Sequence, residues 1–176
     1  SIVFTPAASL IYNGTAKTFT ANAQGIATGF NYSYSGISGT GYGPTSTAPT
    51  NAGNYAVTAT VTNTNYTGSA TQTFTVTKDT PTIAWAAPAG IAYYTALSAT
   101  QLNATANTAG AFAYMPASGA VLGVGAHVLQ TVFTPNDTTN YATVTASVPL
   151  QVTSPQLPIA LRASPNLTYD GTAKPY

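Results

Sequence analysis

The sequence predicts an all-β protein: two tandem β-sandwich modules followed by the first strand of a further module. Three observations carry this expectation. Apolar residues alternate with Thr, Ser and Asn over several stretches, and no stretch keeps helical spacing over a dozen residues. Turn signals such as Asn13-Gly14, Ala52-Gly53 and the run from Pro135 to Asn140 separate those stretches. The end of the chain also copies its beginning, and such internal repeats mark arrays of small units.

The copy is gapless. Shifted by 157 positions, Ile159 falls on Ile2, Leu167 on Leu10 and Tyr169 on Tyr12, Gly171-Thr172-Ala173-Lys174 fall on Gly14-Thr15-Ala16-Lys17, and Tyr176 falls on Phe19. A weaker likeness joins NYTGSATQTFTVT (65–77) to NYATVTASVPLQVT (140–153), and each leads into a joint containing Pro. The expected organisation is therefore a first module at 1–78, a second at 79–154, and at 155–176 a linker and the start of another first-type module.

The strands follow from period-two alternation, which puts one face in a core and the other in water. Phe30, Tyr32 and Tyr34 share a side, as do Tyr55, Val57, Ala59 and Val61. In the second module Ile83 pairs with Trp85, and Val144, Ala146, Val148, Leu150 and Val152 point one way. Short strands with frequent turns fit a small immunoglobulin-like sandwich, although the Cys–Trp–Cys mark of antibody domains is absent because the chain has no Cys.

The segments LIYNGTAKTFTANAQG and APTNAGNYAVTATVTNTNYTGSATQTFTV together resemble the bacterial Ig-like domains of the MBG, or YDG, type. Tyr169-Asp170-Gly171 supplies the tripeptide behind the second name. The region from Pro81 to Val152 is similar to another bacterial Ig-like repeat of the same arrays, which usually reads Tyr-Gly-Thr-Ala-Leu where this chain has Tyr93-Tyr94-Thr95-Ala96-Leu97. The resemblance implies tandem modules in large secreted or surface-anchored bacterial proteins, scaffold or adhesive roles, and no catalytic residues to carry over.

Composition removes several classes of function. Only 4% of residues are charged, against about 25% in an average soluble domain, and there is no Glu. A net charge of +1 offers no field for nucleic acid or an anionic membrane. No run approaches the ~20 apolar residues that span a bilayer. One His and no Cys leave too few ligands for zinc, and no cofactor is expected. His127 reads as a strand residue rather than a base. Asp137, with Asn136, Thr138 and Asn140 around it, reads as turn chemistry rather than a calcium shell, which would draw on several carboxylates. Lys17 has no acid within 1–78 that would support a Lys–Asn cross-link. The expectation is that the protein is not an enzyme.

What remains is mechanical. The chain reads as an extracellular or cell-surface structural protein, a stalk or a self-assembling fibre. Its partners would be copies of itself or adjacent modules of a longer chain. Ile159, Leu161, Leu167, Tyr169 and Gly171 are the candidate interface residues, either opening the next module or donated as a strand to another copy. Modules about 33 Å long would give a pair of about 70 Å. The alternative is an adhesin module that recognises glycan or a host surface through loop aromatics, with Tyr42 in the Gly-rich loop GTGYGPTST as the contact.

Overall fold

The computed structural model describes residues 1–6, 9–24, 26, 29–156 and 171. Its strands fall into two sets. In the first, β1 (Ile2–Pro6) pairs antiparallel with β2 (Phe19–Ala23), and β3 (Phe30–Gly36), β4 (Gly53–Val61) and β5 (Ser69–Val76) form an antiparallel sheet with β4 in the middle. Ile11 bridges Thr77 in parallel at the free edge of β5. In the second, β6 (Ile83–Ala84) pairs with β8 (Thr105–Ala106). The other sheet runs β7 (Ile91–Ala92), β11 (Val144–Thr153), β10 (Gly125–Pro135) and β9 (Gly110–Met115), with β7 parallel to β11.

The two sets share one topology, and their backbone bonds coincide. The Tyr12 N–H donates to Thr77 O at 2.8 Å, and the Tyr93 N–H to Thr153 O at 2.9 Å. Lys17 N–H reaches Pro49 O as Leu97 N–H reaches Ala120 O, each at 2.8 Å. The Ala21 N–H donates to the Tyr32 hydroxyl at 2.7 Å, and the Ala104 N–H to the Tyr114 hydroxyl at 2.9 Å. Thus one tyrosine, on β3 in the first set and on β9 in the second, ties the two sheets together.

A corner bond also recurs. Tyr55, third in β4, donates its hydroxyl to Asn51 O at 2.9 Å, four residues upstream. A tyrosine folded back on the turn before its strand is a hallmark of immunoglobulin-like sandwiches. His127, third in β10, places Nε2 2.7 Å from Gly123 O, again four residues upstream. The imidazole therefore does in the second set what the phenol does in the first.

The alternation seen in the sequence decides what is buried. Phe19 from one sheet packs against Tyr34, Tyr55, Val57, Phe74 and Val76 from the other, its ring 4.6 Å from that of Phe74. Leu97 and Leu102 meet Leu129, Val148 and Leu150 in the second core. Burying each such side chain contributes roughly 1.5–3 kcal/mol. Trp85 lies just beyond β6. It donates Nε1–H to Gln101 O at 3.0 Å, and its ring meets that of Tyr114 edge-on.

The Tyr94 backbone is left-handed, with φ +70°, where the matching turn of the first set has Gly14 at +76°. Tyr94 thus keeps the left-handed backbone of a glycine position, in a turn one residue shorter than that of Gly14, and a side chain there costs about 1–2 kcal/mol. Gly171, the copy of Gly14, has φ +80°.

Candidate functional site

The contact surface between the two strand sets is built around the turn after β10. Asp137 organises that turn. Its Oδ1 accepts the N–H groups of Thr139 and Asn140 at 3.2 and 3.1 Å, and its carbonyl accepts Tyr141 N–H at 3.1 Å. Its Oδ2 accepts the side-chain Nδ2–H of Asn140 at 2.8 Å. The amide of Asn140, foremost, holds the Asp137 carboxyl below its ordinary value, aided by the backbone N–H groups of Asn140 and Thr139 and by Lys78. Both carboxylate oxygens are thus engaged within the turn. Among the described residues no three His, Cys, Asp or Glu side chains gather where a metal could bind.

So fixed, the turn presents Asn140 to the first set. Asn140 is only 6% exposed. Its Oδ1 accepts the Ala52 N–H at 2.8 Å, and its Nδ2 also reaches Asn51 Oδ1 at 3.3 Å. Around it the backbone forms a two-bond bridge: Asp79 N–H to Asn140 O and Ala142 N–H to Asp79 O, both 2.9 Å. Lys78 Nζ donates to Thr138 O at 2.6 Å, and the rings of Tyr12 and Tyr141 meet edge to face. Among the described residues, no buried side-chain N or O lacks a hydrogen-bond partner. A linker pinned to the second set by backbone bonds, with one saturated buried amide reaching the first set, leaves the joint little rotational freedom.

The other sites named from sequence are placed as follows. Tyr42 is half-buried; its hydroxyl donates to Thr47 O at 2.9 Å, and its ring meets Tyr55 edge-on at 5.6 Å. His127 and Asp137 lie toward opposite ends of β10, whose span from His127 to Pro135 alone is about 26 Å. Lys17 is buried, with Nζ 2.6 Å from Asn13 Oδ1. Ile159, Leu161, Leu167 and Tyr169 lie outside the described residues, and of the five candidate interface positions Gly171 alone is described. Sequence reasoning treated Asn140 as a turn former. Its burial against the other set has no sequence signal, since the same Asn-Tyr pair at 65–66 is exposed.

Comparison with known proteins agrees with the first set. Residues 6–80 match the family model described as the MBG domain, a non-catalytic, structural or surface-associated type of module. No match was found among curated proteins. A solved structure described as fibronectin(III)-like modules of Clostridium thermocellum CbhA is 16% identical, with 92% of this chain and 100% of that one covered and a TM-score of 0.31.

Proposed function

We propose that this chain, whose residues 6–80 match the MBG domain family model, is part of an extracellular stalk or fibre whose tandem units set spacing and stiffness. In this reading residues 1–78 are the MBG-type unit and 79–154 a second immunoglobulin-like unit, with 155–176 leading into another first-type unit. One observation carries it: the linker residue Asp79 is pinned by two backbone bonds to the second unit, whose buried, fully bonded Asn140 amide reaches the first, so the units do not hang on a loose tether. A fixed angle between units is what passes stiffness from one repeat of a stalk to the next.

Uncharged Thr- and Asn-rich faces suit the same role. They let neighbouring units lie close without electrostatic repulsion, and they lack the edge charges that keep strands apart. The candidate interface residues Ile159, Leu161, Leu167, Tyr169 and Gly171 then open the next unit, or add a strand to a second copy of the chain.

Intact mass under native and denaturing conditions tests the reading. A denatured mass many times the chain's 17.8 kDa supports a tandem stalk. A denatured mass near that value in large native particles supports a polymer joined by donated strands. Small native particles of about the same mass as the denatured chain overturn both.

A further inference from the structure

We infer that the end of the second unit bearing Tyr93, Tyr94, Gly123 and Val124 is a docking surface, and that its occupant is the Asn63–Tyr66 turn of a further copy of the first unit. The inference rests on the stalk reading and specifies how its repeats join.

The joint already present supplies the template. Its receiving surface consists of Tyr12, Asn51 and Ala52; its inserted turn runs from Asp137 to Tyr141. Both parts have an equivalent on the opposite ends of the pair. On the receiving side, Tyr93 matches Tyr12 by its N–H bond to the end of the last strand. Gly123-Val124 matches Asn51-Ala52, because Gly123 and Asn51 both accept the corner bond two residues before a middle strand. On the inserting side, Asn63 Oδ1 accepts Asn65 N–H at 2.8 Å and its carbonyl accepts Tyr66 N–H at 3.2 Å, as Asp137 does for Thr139 and Tyr141. Asn65-Tyr66 repeats the residues of Asn140-Tyr141 in a shorter turn, with four fewer residues between the paired positions Thr60 and Ser69 than between Val132 and Thr145.

Both equivalents are uncovered. Tyr66 is 48% exposed, Val124 56% and Tyr94 76%, whereas Asn140 in the formed joint is buried. Tyr94 adds a second, independent sign. It holds a left-handed backbone that its counterpart fills with Gly, and its ring lies against that of Tyr93, at 4.0 Å between centroids, while remaining largely exposed. A strained residue with an exposed aromatic ring points to a contact outside the pair.

Chain length agrees. Ile83 pairs with Ala106 as Ile2 pairs with Ala23, so Ile83 and Ile2 are equivalent, and Ile159 repeats Ile2. From Thr77 to Ile83 is six positions, as is Thr153 to Ile159. The second linker thus has the length that seats the first. Three bonds differ: Pro155 takes the place of Asp79 and has no N–H, Ser154 replaces Lys78 and its bond to Thr138 O, and Gly123 has no side chain to accept as Asn51 Oδ1 does.

The test uses the full chain lengthened by its own residues 20–78, which completes a third unit because Tyr176 repeats Phe19. Amide NMR spectra of this chain and of residues 1–176 are compared, together with residual dipolar couplings for each unit. Docking moves the resonances of Tyr93, Tyr94, Gly123 and Val124, slows their amide exchange by about tenfold or more, and lets one alignment tensor fit all three units. Val124→Asp in the long chain reverses all three effects, while the third unit's dispersed spectrum shows it still folded. A folded third unit with unmoved resonances and its own tensor overturns the proposal, and so do oligosaccharides that shift those resonances where the third unit does not. Failure of the stalk reading looks different: the first and second units then need separate tensors.

Discussion

The rings of Tyr12 and Tyr141 meet edge to face across the joint between the two units, with centroids 5.4 Å apart and planes at 81°. This geometry places the positive edge of one ring against the negative face of the other. Beside it Asn140 is saturated by Ala52, Asn51 and Asp137. Apolar packing and a buried polar clamp thus act on the same few residues, so the joint should respond sharply to single changes.

Asn140→Ala leaves the Ala52 N–H without its partner and removes the amide from Asp137. An unsatisfied buried group costs about 1–3 kcal/mol. The expected outcome is loss of that much stability at the joint, read by urea titration, with both sandwiches still folded.

Acid should loosen the joint before it unfolds the units. The folded Asp137 pKa lies below its ordinary value, first because of the Asn140 amide. Its contribution is therefore present above the usual carboxylate pKa of about 3.9 and is lost as pH falls through the folded value. Monitoring the Asn140 and Ala52 amides by NMR should show a transition below that pH, and Asp137→Asn should abolish it.

Alkali acts on the first core. Burial, foremost, raises the Tyr34 and Tyr55 phenols above the usual value of about 10. A raised folded pKa gives stability that is present below the unfolded value and lost as pH climbs through the folded one. The first unit should unfold at alkaline pH before the second, with the phenolate absorbance rising in step.

Corner bonds can be compared directly. Tyr55→Phe removes the bond to Asn51 and should cost about 1 kcal/mol. Leu129→Ala in the middle of β10, fully buried, should cost about 2–5 kcal/mol. Chemical denaturation that separates the two units' transitions checks both values.

Tyr94→Gly should stabilise the isolated pair by about 1 kcal/mol, because glycine relieves the left-handed backbone. Thermal unfolding of the second unit reads this out.

The strands were legible because period-two alternation is a local signal. Tyr55, Val57 and Ala59, and likewise Val148, Leu150 and Val152, are buried as their alternation requires. The matching topology of the two units was only partly legible. It is held by backbone bonds whose flanking residues differ in kind: His127 for Tyr55, Leu97 for Lys17, Tyr94 for Gly14. Sequence comparison therefore found the shared Asn-Tyr and the last strand but not the corner. The joint was hidden for another reason. Asn51 and Asn140 lie 89 positions apart, and an Asn that closes a turn looks the same as one that also bridges two sandwiches. Tyr42 was singled out for its Gly-rich loop, which does not reveal that its hydroxyl returns to Thr47.

The most direct measurement is the set of residual dipolar couplings from both units of the unmodified chain, recorded in one alignment medium. One tensor that fits residues 1–78 and 79–154 together, and splits in Asn140→Ala, is the outcome expected of a fixed joint. Two unrelated tensors in the unmodified chain would contradict it and leave the units as beads on a flexible thread.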